Sequence, residues 1–98
     1  MRPVLHDDLV QLGRMLLAQP REQRGAICRR AFREAEIADR YRIQHRTRHP
    51  AFGDGSLAGW AAQHPRLPEP RLDDPDYAGC LRLVLGHLML QPGRADRP

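Results

Sequence analysis

The sequence contains no lysine and no asparagine, and Thr47 is its only threonine. All sixteen basic residues of the Lys and Arg class are therefore arginine, beside many alanines, glycines and prolines. This composition is typical of codon usage in a GC-rich bacterial genome. The choice of arginine over lysine is then weak evidence for the bidentate anion recognition at which arginine excels.

Cysteine is also scarce, because Cys28 and Cys80 are the only two. Their separation matches no metal-binding or redox spacing. Each falls on the apolar face of a predicted helix, so we predict two buried thiols, with a disulfide between them as the alternative.

Long apolar runs are missing. The longest, residues 83–90, is interrupted by Gly86 and His87 and is far shorter than the ~20 residues that span a bilayer. The first residues, Met1-Arg2-Pro3, do not resemble a secretory signal. We therefore expect a cytoplasmic protein with no membrane partner.

Periodic apolar residues predict an all-α fold, since no alternating strand pattern occurs. The 98 residues suit one domain. We expect an ordered core over about 4–91 and a frayed tail at 92–98. A proline-rich connector, with Pro65, Pro68 and Pro70, precedes the last helix. The predicted bundle has about four helices, at 5–18, 21–46, 56–63 and 75–90.

The predicted core faces follow helical spacing. The first helix contributes Leu5, Leu9, Leu12 and Leu16. The second contributes Ile27, Cys28, Ala31, Phe32, Ala35 and Ala38, and Trp60 anchors the third. The fourth contributes Tyr77, Cys80, Leu81, Val84, Leu85 and Leu88. We expect the second and fourth helices to be the central pair, and Met15, Ala26 and Ile37 to face outwards.

The positive charge is concentrated in residues 21–48, which hold nine arginines against four acids, a net charge of +5. The rest of the chain holds seven arginines against eight acids. A basic helix of this kind is the electrostatic footprint of an anion-binding or nucleic-acid-binding protein, although Glu34, Glu36 and Asp39 interrupt it. The candidate residues are Arg29, Arg33, Arg40, Arg42, His45, Arg46 and Arg48.

The end of the second helix has two interpretations. Beyond Ala38 its inner stripe becomes polar, and the following turn, residues 53–56, could offer backbone N–H groups to an anion. Alternatively, the helix outruns its core and Asp39 pairs with Arg42. His45 and His49 have the i, i+4 spacing of a shared metal site, but further ligands are not evident. We therefore predict solvated or structural histidines and no metal.

The fourth helix carries a second seam outside its core face, formed by Gly79, Leu83, Gly86 and Leu90. Small residues in such a seam allow another helix to approach closely. Burial within the monomer and contact with a partner remain equally open interpretations for Leu83 and Leu90.

No nucleophile motif, phosphate-binding loop or dinucleotide fingerprint occurs in the sequence, so we expect neither an enzyme nor a cofactor. We predict a small non-enzymatic accessory or regulatory protein that binds another protein, or a homodimer. The alternative is a nucleic-acid-binding accessory protein that uses the arginine-rich second helix.

Overall fold

The structure is a computed structural model that describes residues 2–91, so the predicted frayed tail lies outside the described residues. It contains four helices and no strand within that range, which confirms the predicted all-α bundle. The only strand-like pairing described there is an isolated bridge between His49 and Gly53. The helices are α1 (His6–Leu17), α2 (Arg21–His45), α3 (Leu57–Ala61) and α4 (Pro75–Met89).

Local hydrogen bonds determine where the helices begin and end. The Asp74 carboxylate accepts a bond from the Tyr77 N–H at 2.9 Å, with Pro75 at the first helical position of α4. The Ser56 hydroxyl accepts from the Gly59 N–H at the start of α3, also at 2.9 Å. At the end of α2, Arg46 adopts a left-handed conformation with φ 55°. These signals explain why the predicted bounds differ from the observed ones by at most two residues.

The core lies between α1 and the other three helices, so the expected central pair of α2 and α4 was wrong. Helix α1 packs most extensively against α4 and α3 and less against α2. A close approach at Gly13 makes this possible, because a Cβ atom there would lie 2.7 Å from Leu81 Cδ2. The buried cluster is Leu12, Met15, Leu16, Cys28, Ala31, Phe32, Ala35, Leu57, Trp60, Ala61, Cys80 and Val84.

Three predicted orientations are corrected by this arrangement. Met15 is only 4% exposed, because α1 is covered on more than one side. Leu5 is 68% exposed, since it precedes α1 as its cap. Leu85 is 47% exposed, because α4 turns Cys80 and Val84 to the centre of its buried face. Ile37 is exposed, as predicted.

The alanine stripe of α2 lets the turn before α3 lie directly on the helix. Ala31, Ala35 and Ala38 are fully buried, and Asp39 continues the stripe as a buried residue. A Cβ atom on Gly55 would lie 2.8 Å from the Asp39 Cα. The inner face of α2 therefore stays inside the fold at Asp39.

The connector is held against α1. The Arg14 guanidinium donates to the Leu67 carbonyl at 2.7 Å, and the Leu67 N–H donates to the Arg14 carbonyl at 3.3 Å. The Tyr77 hydroxyl donates to the Glu69 carboxylate at 2.7 Å. These bonds join the middle of the connector to α1 and α4, so it is an intradomain strap.

Both cysteines are free and buried, as predicted. Burial raises the pKa of the Cys28 thiol to about 12. Burial likewise raises the pKa of the Cys80 thiol. Thiols of this kind are poor nucleophiles at neutral pH.

Candidate protein-interaction surface

The outer side of α4 carries the predicted seam in a continuous strip. Gly79, Leu83, Gly86 and Leu90 repeat with spacings of four, three and four residues, so they occupy about 60° of the helix circumference. Both glycines are exposed, and Leu90 is 78% exposed. Leu83 is half-buried and packs against the core cluster with part of its side chain. Leu83 thus contributes to both surfaces, and Leu90 contributes to the open one.

A shallow groove of about 450 Å³ lies over the two glycines. Its lining residues are Gly79, Arg82, Leu83, Gly86, His87 and Leu90. A Cβ atom on either glycine would have no heavy atom from elsewhere in the described chain within 4 Å. Each glycine makes a helix less stable than alanine by about 0.5–1 kcal/mol. Packing among residues 2–91 therefore does not account for either glycine.

The rest of the outer side of α4 is also apolar. Met89 is 79% exposed and Leu85 is 47% exposed. Between Tyr77 and Leu90, Arg82 is the only charged residue on this side of the helix. A helix that is apolar around its whole circumference is normally buried on all sides. Here one side is left uncovered within the described chain.

A second groove, of about 420 Å³, adjoins the first and runs between α2 and the end of α4. Its lining residues are Arg29, Phe32, Arg33, Glu36, Ile37, Arg40, His87 and Gln91. His87 lines both grooves, so the apolar strip and the arginine row form one surface. We call this continuous area, defined by the lining residues of the two grooves, the α4–α2 surface.

Helices α2 and α4 run in the same direction along this surface. Near their starts, Arg24 donates to the Asp76 carboxylate at 2.7 Å, and further on the rings of Phe32 and His87 lie 6.0 Å apart. The exposed arginines of α2 therefore form a row beside the apolar strip of α4.

Three arginines of the α4–α2 surface have no ion pair among residues 2–91. These are Arg29, Arg33 and Arg82. Arg40 differs, because it donates to the Glu36 carboxylate at 3.2 Å. Burial and then the positive charge of Arg29 lower the pKa of His87, so its imidazole is neutral at pH 7. The surface is apolar along one line and positive beside it.

The sequence matches the model of a protein family. The chain belongs to a family described as a domain of unknown function (DUF7742), whose model matches residues 2–88. No curated protein matches the chain, and no solved structure matches it. The family match contains three of the four seam residues, Gly79, Leu83 and Gly86, whereas Leu90 lies just beyond it.

In this DUF7742 protein the other candidate cluster, at the end of α2, is largely engaged by its own contacts. The Arg42 guanidinium donates to the Asp39 carboxylate at 2.7 Å, which is the pairing expected from the sequence. The ring of Tyr41 lies 4.2 Å from that of His45 and 4.9 Å from that of His49. His49 Nδ1 accepts bonds from the N–H groups of Ala51 and Phe52, at 2.9 and 3.0 Å.

These contacts bear on the metal and anion hypotheses. Within the described residues no group of three metal-ligating side chains occurs, and Nδ1 of His49 is already used. Arg46 forms the left-handed end of α2, and Arg48 is exposed after it. The structure thus places Arg42, His45 and Arg46 together at the helix end, apart from the groove that holds Arg29 and Arg33.

Several N–H groups in the glycine turn and at the start of α3 already donate to the protein's own oxygens. Asp54 Oδ1 accepts from the Ser56 N–H at 3.0 Å, and Asp8 Oδ1 accepts from the Ala58 N–H at 2.9 Å. Hydrogen bonds from Ser56 lower the pKa of Asp54, so this carboxylate stays charged. The Asp54 carboxylate in the turn and the Asp8 carboxylate of α1 beside it would repel an incoming anion, so the geometry does not favour an anion site there.

Sequence reasoning missed the role of Asp8, which is buried and also accepts from the Leu5 N–H at 2.8 Å. A signal was present, because Asp8 precedes Leu12 by four residues and so shares its face. Glu34 was missed in the same way. Its carboxylate accepts from Trp60 Nε1 at 2.9 Å and from Arg30 at 2.9 Å. Both acids hold elements of the fold together.

None of the helices within residues 2–91 is both long enough and apolar enough to cross a bilayer.

Proposed function

We propose that this protein is a non-enzymatic accessory or regulatory protein that binds a helix of another protein on its α4–α2 surface. The observation that carries the proposal is the pair of uncovered glycines, Gly79 and Gly86, within an exposed apolar strip. Glycine destabilises a helix and leaves its backbone open. A neighbouring helix can approach such a strip closely, and its apolar side chains would gain burial there.

A second copy of the chain is a poorer occupant than a different protein. If two α4 helices paired antiparallel, the two-fold axis would be perpendicular to both helices. Both copies of α2 would then lie on the same side of the α4 pair. Arg29 and Arg33 of the two copies would then adjoin one another, and like charges across an interface are unfavourable. In a parallel pair, Leu83 would pack against Leu83 of the second copy, and Gly86 would lie opposite Gly86. The interface would then be crowded at the leucines and empty at the glycines, which is poor packing.

Two further features support a role in binding rather than in catalysis or secretion. The two thiols are buried with raised pKa values, so they are not available as nucleophiles. They are also unpaired, as is usual in a reducing compartment. A cytoplasmic location and the absence of enzymatic activity are therefore parts of the proposal.

The experiment that tests this function blocks the groove without disturbing the core. Gly86→Leu should fold, because nothing in the described chain lies where the side chain begins, but it should fill the groove. A photo-crosslinking residue at Leu90, compared with one at exposed Leu72, would identify the partner in the organism of origin. The partner would then be purified and its affinity measured by calorimetry.

The expected result is a loss of at least about a hundred-fold in affinity for Gly86→Leu, equivalent to about 2.7 kcal/mol. Ala62→Leu, at an exposed position after α3 and outside the two grooves, is the matched control and should bind normally. Equal binding by both variants would refute the proposal. A concentration-dependent dimer of the wild type that Gly86→Leu abolishes would instead make the occupant a second copy.

Nucleic-acid binding is the second candidate, and it is favoured by Arg29 and Arg33, which have no ion pair among residues 2–91. Nonspecific binding requires several phosphate contacts at once. Two other candidate residues, Arg40 and Arg42, are already paired with acids, which weakens the field along α2. Anisotropy of labelled duplex and single-stranded oligonucleotides at two salt concentrations tests this candidate, since true phosphate binding must weaken steeply with salt.

A further inference from the structure

We infer that the partner is an acidic amphipathic helix whose apolar side chains fill the groove over Gly79 and Gly86 and whose carboxylates meet the arginines beside it. This inference rests on the proposed function, because it specifies the chemistry of the helix that the α4–α2 surface binds. It follows from the spacing of the glycines, the position of the arginines and the direction of the two helices.

The apolar requirement comes from the two uncovered glycines. Gly79 and Gly86 are seven residues apart, which corresponds to about 10.5 Å along a helix. The open space above each glycine accepts a large side chain, whereas Leu83 and Leu90 project beside them. A bound helix therefore needs large apolar residues at a heptad spacing, with small ones where it meets Leu83 and Leu90.

The acidic requirement comes from the arginines that flank the strip. Arg29 and Arg33 lie one helical turn apart on α2, and Arg82 lies on α4 itself. None of these three has an ion pair among residues 2–91. Because α2 runs in the same direction as α4, a helix laid along the strip would place one flank next to Arg29 and Arg33. Carboxylates on that flank would be attracted, and basic residues would be repelled.

The test uses three synthetic helical peptides that share one leucine and alanine seam and differ only in their flanks, which are glutamate, glutamine or arginine. Each is labelled and titrated with the full chain, and its anisotropy is measured. We expect the glutamate peptide to bind at least about ten-fold more tightly than the arginine peptide. A scrambled glutamate peptide, with the same composition but no seam, should bind at least as weakly as the arginine peptide.

Charge reversal of the protein makes the test specific. Arg29→Glu with Arg33→Glu should invert the order, so that the arginine peptide binds more tightly. Both side chains are exposed, so this variant should fold, and circular dichroism checks that it does. Equal affinities for all flanks, no binding by the glutamate peptide, or equal binding by its scrambled form would overturn the inference.

A further variant separates this inference from the proposed function. Leu90→Glu should abolish binding of every seam peptide, and Leu72→Glu, at another exposed leucine, should not. If Leu90→Glu abolishes binding but the flanks make no difference, the acidic partner is wrong and the docking surface stands. If Leu90→Glu has no effect while charge reversal removes binding, the peptide binds only as a polyanion and both proposals fail. Tighter binding of a single-stranded oligonucleotide than of the glutamate peptide would also overturn the acidic helix.

Discussion

Glycines serve opposite purposes in two regions of this protein. In the turn before α3, Gly55 has φ +95° and lies so close to α2 that a Cβ atom would be 2.8 Å from the Asp39 Cα. On α4, a Cβ atom at Gly79 or Gly86 would have no heavy atom within 4 Å from elsewhere in residues 2–91. The fold requires the first glycine and does not require the other two. Because these two glycines weaken α4 and lie within an exposed apolar strip, they support the contact with another protein that we propose.

Polar groups show the same contrast. In the region around α3, Asp8 accepts two backbone hydrogen bonds and Glu34 accepts bonds from Trp60 and Arg30. On the α4–α2 surface, three arginines have no ion pair within the described chain. In the α3 region, these polar side chains are hydrogen-bonded within the chain. The α4–α2 surface has charged groups without an ion pair and apolar area that the described part of the chain leaves uncovered.

The largest expected effect is on the α3 region. Trp60→Ala should destabilise the protein by about 3–5 kcal/mol, because the indole is 1% exposed and its removal leaves a large cavity. Chemical denaturation followed by circular dichroism measures this loss. Trp60→Phe is the control, since it restores most of the volume but not the bond to Glu34. A loss below about 1 kcal/mol for Trp60→Ala would mean that α3 does not anchor the fold.

The next largest effect compares the glycines directly. Gly55→Ala should destabilise the protein by about 2–3 kcal/mol, because alanine rarely adopts a positive φ and would collide with the α2 backbone. The free energy of unfolding from urea titration checks the value. An unchanged stability would show that the turn can move away from Asp39.

The α4 glycines should respond in the opposite direction. Gly79→Ala with Gly86→Ala should stabilise the isolated protein by about 1–2 kcal/mol through helix propensity alone. Because the added methyl groups occupy the groove, the same variant should bind the glutamate peptide less tightly. Gly25→Ala, away from the two grooves, should raise stability without changing binding. If the double variant binds as well as the wild type, the glycines are not there for a partner.

The smallest effect concerns pH. Burial and then a nearby arginine, Arg30 for His64 and Arg29 for His87, lower the pKa of both imidazoles below 6.5. The unfolded chain therefore binds protons at a higher pH than the folded one, and stability must fall as the pH drops below about 6.5. Thermal unfolding measured from about pH 7.5 to about pH 5, which spans the titration range of histidine, gives the slope.

Replacing both histidines with glutamine should flatten that slope. At still lower pH a further loss is expected. Burial raises the pKa of Glu34, but bonds from Trp60 and Arg30 lower it more, so it ends below its usual value. The stability that this carboxylate contributes is present above about pH 4.5 and disappears as the pH falls through the folded pKa. A transition temperature that rises on acidification would contradict both assignments.

Much of the fold was predictable because its signals are local. Asp74 and Pro75 define the start of α4, and Ser56 defines that of α3, through hydrogen bonds that span three residues. The spacing of Gly79, Leu83, Gly86 and Leu90 likewise places them on one face of an α-helix, and this holds whatever packs around the helix. The identity of what binds there stays a prediction.

Other features depended on distant neighbours. The sequence indicated that Met15 faces outwards and Leu85 inwards, yet α1 is central and the reverse is true. Asp8 shares a face with Leu12, but only its contact with Ala58, fifty residues away, explains why a carboxylate is buried there. The periodicity of apolar residues predicts which residues lie on the same helix face, but it does not predict which faces are covered by other helices.

The sequence by itself therefore determined the helices, their boundaries and the residues that share each face, because hydrogen bonds and side-chain spacing within a helix involve near neighbours only. The tertiary structure decided which helix is central, which polar groups are satisfied and which apolar strip stays open. Those outcomes depend on contacts between segments far apart in the chain. The open strip, on which the proposed function rests, became visible only when α1 and α2 had covered the other side of α4.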